Sequence, residues 1–302
     1  MTRPVGADRA VRPDLLQPAD VARLGGLEVV TEGIVEGYLA GLHRSPRRGF
    51  SVEFAEHRQY QPGDEPRYVD WKLLARTDRL YVKQFEEETN LRGMLVVDAS
   101  ASMGWTGDPA RLTKLDYATR LAAAVALVLL RQRDAAGLIT FDESVRSLVP
   151  ARSAGGHWDT LARQLAATTP GHGTAAEPAL RQVVAALKSR GLVVLISDLL
   201  LDRTLTLKAL RFLRHRGHDV LVLHVADPAE LELRRGEETR YRDPESSTVV
   251  TLTPNDWAVE YGRTVSAAIR AWRVACRAAG MRYALVPTDL PFGTALARAL
   301  RP

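Results

Sequence analysis

From residue 91 onward, short apolar runs alternate with longer stretches of helical period, and that alternation limits the fold more than any other feature of the chain. Runs at 94–97, 137–141, 145–149, 192–196, 220–225 and 283–286 read as buried strands, rich in Val, Ile and Leu and bounded by polar residues or glycine. After the first run, Leu115, Ala118, Leu121, Ala122, Val125, Val128 and Leu129 recur three or four apart, which predicts a long helix. Further helices are expected near 156–168, 176–189, 204–215 and 254–279, with a short one closing the chain. The helix at 254 has a start signal in Thr253 as N-cap and Pro254 at the first position, and a stop in Gly280. Only three residues separate 137–141 from 145–149, so these two form a hairpin and the second becomes an antiparallel edge strand. Another small hairpin is expected around Asp243-Pro244 in the polar stretch 228–252. The fold class is therefore α/β, a doubly wound, mostly parallel six-stranded sheet with helices on both faces. Such sheets bind ligands beyond the carboxyl ends of their strands, where the strand order reverses.

Composition narrows the setting. The 302 residues are 46% hydrophobic and 25% charged, an ordinary globular balance that excludes a mostly disordered chain. A net charge of +5 is a mild excess and does not demand a nucleic acid. The single cysteine, Cys276, rules out an intrachain disulfide framework and a Cys-based zinc site, and suggests a reducing compartment. The longest apolar run, 121–130, has ten residues, against roughly 20 for a spanning helix. The N-terminal charges have no apolar stretch behind them, so they do not form a secretory signal. These features predict a cytoplasmic protein with no membrane segment. The organisation expected is a loose leader at 1–20, an N-terminal extension at 21–90 packed on the sheet, and a main domain at 91–302.

Polar residues cluster where the sheet should bind. The first strand ends in Asp98, Ser100 and Ser102, the fourth ends at Asp198, and the Gly-rich loop between them carries Thr174. Two carboxylates and three hydroxyls are oxygen donors only, which suits a hard cation, Mg2+ or Mn2+, and not zinc or copper. Taken singly, each has a plainer reading. The serines fit a turn cap, Thr174 with Glu177 fits a capping box, and Asp198 fits another turn. Taken together and in order, the set resembles the metal-ion-dependent adhesion site of von Willebrand factor A domains, D-x-S-x-S followed by a Thr and then an Asp. That resemblance implies a protein-interaction module, not an enzyme, whose metal accepts an acidic side chain from a protein ligand. His172 in the Gly-rich loop and Trp105 just after the serines are candidates for contact with such a ligand.

The block at 43–90 has a different character. Nine basic and nine acidic residues are interleaved with Phe50, Phe54, Tyr60, Tyr68, Trp71 and Tyr81, a pattern of a folded, cross-paired segment. Its motifs are the acidic-aromatic stretch 53–56, Arg58 and Tyr60, Gly63-Asp64, Arg67, Asp70-Trp71, Ala75-Arg76 and the stretch 85–88. They resemble the signature of the bacterial domain of unknown function 58 family, in its form without membrane helices. Members of that family are typically encoded beside a MoxR-type AAA+ ATPase, which the resemblance implies as partner. Arg58, Arg67, Trp71 and Arg76 are the candidate partner contacts. The alternative is that the charges pair with one another and hold the segment together, with Trp71 as a buried anchor. The short connection from the strand at 80–85 to the one at 94 predicts that these two are antiparallel neighbours.

Two other function classes are open to the sequence. A metal-dependent phosphotransferase or hydrolase of the haloacid-dehalogenase type also uses an Asp after the first strand. It needs a general acid two residues on, where this chain has Ser100. No P-loop, H-E-x-x-H or G-x-S-x-G motif is present, so no catalytic residue is assigned. Binding of nucleic acid rests on the mild positive charge alone and is not expected.

Overall fold

The structure, a computed structural model, describes Leu27, residues 30–32, 34–35, 53–61, 69–86, 91–171, 176–233, 239–242 and 248–300. Contacts divide the chain into two units, 45–90 and the remainder. Of the stretch 21–44, Val30, Ile34 and Val35 are described and are buried in the core of the larger unit. The leader at 1–20 lies outside the described residues.

In the smaller unit, β1 (Glu53–Gln59) pairs antiparallel with β2 (Tyr81–Glu86), and α1 (Trp71–Thr77) lies between them in sequence. The expected pairing of β2 with the first strand of the main sheet is not formed. That strand, β3 (Arg92–Asp98), has both edges taken by parallel neighbours and no free edge to offer. Trp71 is 61% exposed, so it is not the buried anchor expected of it.

The larger unit runs β3, a 3-10 turn at Ala101–Gly104, α2 (Lys114–Arg131), β4 (Ala135–Phe141), β5 (Val145–Arg152), α3 (His157–Ala166) and α4 (Ala176–Ala186). It continues with β6 (Leu192–Ser197), α5 (Arg203–His215), β7 (Asp219–Ala226), α6 (Pro228–Leu231), the hairpin β8 (Thr239–Arg242) and β9 (Val249–Leu252), α7 (Pro254–Ala278), β10 (Arg282–Pro287) and α8 (Phe292–Leu300). The six-stranded order is β10-β7-β6-β3-β4-β5. All neighbours are parallel except β4 and β5. This is the doubly wound order, with its reversal between β3 and β6.

Burial follows position in the sheet. The inner strands are buried almost continuously, as parallel strands covered on both faces must be. Edge strand β5 alternates half-buried and exposed residues, the pattern of a one-sided antiparallel strand. Two apolar layers result. One packs α2, α3 and α8 through Leu121, Ala122, Val125, Leu161 and Phe292. The other packs α4, α5 and α7 through Leu180, Val183, Leu210, Leu213 and Trp272. Trp272 is buried while Trp257 on the same helix is exposed, as an amphipathic helix on a sheet requires. Cys276 is buried in that layer, which pushes its thiol up to about 11 and leaves it inert at neutral pH.

Candidate functional site

The reversal of strand order brings the ends of β3 and β6 side by side, and with them Asp98 and Asp198. Asp98, Ser100, Ser102 and Asp198 are all buried. Asp98 Oδ1 accepts from the Ser100 backbone N–H at 2.9 Å and its Oδ2 from the Ser197 hydroxyl at 2.6 Å. Ser100 precedes the 3-10 turn but makes no side-chain cap. Its Oγ instead stands 3.2 Å from Ser102 Oγ, so the plain capping reading fails for this serine. Asp198 does play its turn part, with Oδ1 accepting from Leu200 N–H at 3.2 Å. Between them Leu199 is held at a φ of 56°, the left-handed region that a branched residue adopts only under constraint. Its N–H donates to Ser197 Oγ at 2.9 Å. Strain of this kind gathers where surrounding contacts over-determine the backbone.

The Gly-rich loop leaves from beside these residues. Gly171 N–H donates to Ala99 O at 2.6 Å. A side chain at Gly171 would collide with the Asp142 carboxylate, and one at Gly104 would sit 2.7 Å from Pro170 Cγ. Only glycine permits these close approaches. Thr174 and His172, the loop residues singled out in the sequence, lie outside the described residues, as does Arg67. Trp105 flanks the site at 38% exposure, and its carbonyl accepts from Lys114 N–H at 3.1 Å. Arg58 lies on β1. Trp71 and Arg76 lie on α1 of the smaller unit, both exposed.

Sequence reading missed Lys114. It is the first residue of α2 and fully buried, with Nζ donating to Asp198 Oδ2 at 2.8 Å and also to Glu230 Oε1. Burial alone would lower its pKa, but Asp198 and then Glu230 carry it above the ordinary lysine value. A signal was present in the sequence. The first turn of a helix favours anions, and a lysine there follows no local rule, which marks a tertiary purpose. Glu230 belongs to the capping box of α6, where its Oε2 accepts from Asp227 N–H at 3.0 Å. Asp227 in turn pairs with Arg111 at 3.3 Å, and the Tyr261 hydroxyl holds the Glu230 carbonyl at 2.8 Å.

Among the described residues Asp98 makes no ion pair, and burial followed by the nearby Asp198 charge pushes its carboxyl up to about 7. No group of three or more His, Cys, Asp or Glu side chains is arranged to hold a metal among the described residues. A cation at this place would depend on hydroxyl oxygens beside the two carboxylates. The donors present fit a hard divalent ion. They are oxygen-only, two hydroxyls lie together, and among the described residues one buried carboxylate has no compensating charge.

Fold and site together define a doubly wound α/β protein with an acid-and-hydroxyl cluster at its switch point. The family described as "Protein of unknown function DUF58" matches residues 56–268, and the chain belongs to that family. It is 32% identical over 243 residues to "Uncharacterized protein Mb1516" of Mycobacterium bovis, covering 79% of this chain and 75% of that one. Among solved structures it is similar to an aerotolerance-related membrane protein of Bacteroides fragilis NCTC 9343 (17% identity, TM-score 0.48, 69% of this chain and 96% of that chain). It is also similar to the conserved hypothetical protein BatB of Bacteroides thetaiotaomicron (19% identity, TM-score 0.43, 65% and 90%). No helix among the described residues is long and apolar enough to cross a membrane.

Proposed function

We propose that this chain is a metal-dependent protein-interaction module acting in the cytoplasm. Asp98, Ser100, Ser102 and Asp198, completed by Thr174, hold Mg2+ or Mn2+. When bound, the ion supplies an open coordination position for a carboxylate oxygen of a protein ligand. The chain's own residues do the rest. Ser197 and the Ser100 backbone orient Asp98 from both of its oxygens, and Lys114 orients Asp198. Trp105 provides a partly exposed aromatic surface beside the site, the residue type that anchors protein partners. His172, Arg58, Arg67, Trp71 and Arg76 serve as further contacts. The family resemblance supports a MoxR-type AAA+ ATPase as the partner that this module links to its ligand. Catalysis is not proposed, because Ser100 stands where a phosphotransferase needs a second acid.

The observation that carries this reading is Asp98, a wholly buried carboxylate with no cationic partner among the described residues, at the strand end that also carries the paired Ser100 and Ser102 hydroxyls. Isothermal titration with Mg2+ and Mn2+ tests it. One site is expected in the wild type and none in Asp98→Ala, while equal binding by both proteins refutes the reading.

A further inference from the structure

Lys114 is a cation built into the floor of the site. Its ammonium is sealed from solvent and shared between Asp198 Oδ2 and Glu230 Oε1. Asp98, Asp198 and Glu230 in ionised form bring three negative charges, and Lys114 offsets one. What remains matches one divalent ion. That ion would meet Asp198, however, with an ammonium already on the same carboxylate. Two cations on one carboxylate repel each other strongly where water is excluded. Glu230 eases this repulsion, since it lies on the far side of Lys114 from Asp198 in the bonding chain and draws off part of the ammonium's charge. Its own position is set independently by the α6 capping box and by Tyr261.

We propose that Lys114 is a resident cation that competes with the divalent ion for Asp198 and thereby sets how tightly the site holds its metal. This rests on the metal reading of the site. Lys114 is then a positioning residue with two effects of opposite sign. It stabilises the metal-free fold by covering Asp198, and it weakens metal binding by occupying that carboxylate first. Glu230 has the complementary part. Without its charge, the ammonium falls wholly on Asp198 and the ion is held less tightly.

The test uses the full chain, with Mg2+ and Mn2+ alone as probes, in isothermal titration and in thermal melting with and without metal. Lys114→Met is expected to bind metal about tenfold more tightly than wild type or better, and to melt lower without metal. Glu230→Gln keeps the acceptor for Asp227 N–H but loses the charge. It is expected to bind metal at least about threefold more weakly, and also to melt lower without metal. Damage to the fold alone would weaken metal binding in both variants, so the opposite directions identify electrostatic competition. If Lys114→Met does not fold, unchanged or tighter binding by Glu230→Gln still overturns the proposal. Metal binding by Lys114→Met that is equal to or weaker than wild type overturns it too, and leaves the metal reading standing. Uptake by Lys114→Met alone supports the competition in its strongest form while refuting the metal reading for the wild type. No uptake by any of the three proteins overturns both.

Discussion

Asp98 and Asp198 end adjacent strands and are equally withdrawn from water, yet they are held by different kinds of partner. Asp198 receives a buried ammonium from the first turn of α2. Among the described residues Asp98 receives only neutral donors, a hydroxyl and a backbone N–H. The first arrangement is self-sufficient. The second leaves a charge that burial opposes, and its raised pKa reports that conflict. Asp198 is therefore covered before any ion arrives, whereas Asp98 is not covered by a cation among the described residues. The contrast separates the two aspartates by role even though they sit in one motif.

The contrast is broken most strongly by removing the ammonium. Lys114→Met leaves Asp198 buried without its cation, and metal-free stability in urea unfolding should fall by about 3–5 kcal/mol. Next come the two aspartates themselves, compared without metal at pH 8. Asp198→Asn weakens a charged hydrogen bond and should cost about 2–3 kcal/mol. Asp98→Asn removes a charge that burial penalises, and should leave stability unchanged or raise it. Equal losses in the two variants would erase the distinction. Both should abolish metal binding.

Titration sharpens the comparison further. Folding raises the Asp98 pKa from 3.8 to about 7, so the folded state holds more protons and stability falls as pH climbs through that window. Burial lowers His224 from 6.5 to about 4. There the unfolded state holds more protons, and stability rises with pH across that narrower window. The two slopes oppose each other between pH 4 and 6.5, so each offsets part of the other in the metal-free wild type. Asp98→Asn should expose a stability that rises over this range, by up to about 1.4 kcal/mol per pH unit. The same pH profile in wild type and variant would mean that folding does not raise the Asp98 pKa. The smallest effect concerns the rim. Trp105→Ala should cost less than about 1 kcal/mol of stability, since the ring is partly solvated. It should nevertheless weaken binding of an acidic protein ligand in a metal-dependent titration.

Much of this architecture is legible in local sequence. All six sheet strands, the long helix after the first of them and the hairpin at β4 and β5 follow from apolar period and loop length, because burial of one face or two leaves a periodic trace. The same locality sets the limits. Thr253 stands at the N-cap of α7 as its position suggests, yet its hydroxyl caps nothing, since side-chain direction depends on what packs beside it. The short connection between β2 and β3 predicts that they pair. Pairing instead follows from which edges remain free, and β4 and β6, distant in sequence, had taken both.

For the site, sequence alone determined the oxygen-bearing residues at the strand ends, because a strand's end is marked locally by the polar residue that follows the apolar run. It also determined that they would meet, since a doubly wound sheet places its first and fourth strands together. Only the tertiary structure decided how their charges are balanced. Lys114 and Asp198 are 84 residues apart in the chain, and Lys114 and Glu230 are 116 apart. Nothing in the neighbourhood of any one of them announces the other two. Electrostatic compensation is a matter of distance in space and exclusion of water, and both come into being only when the sheet has closed around them.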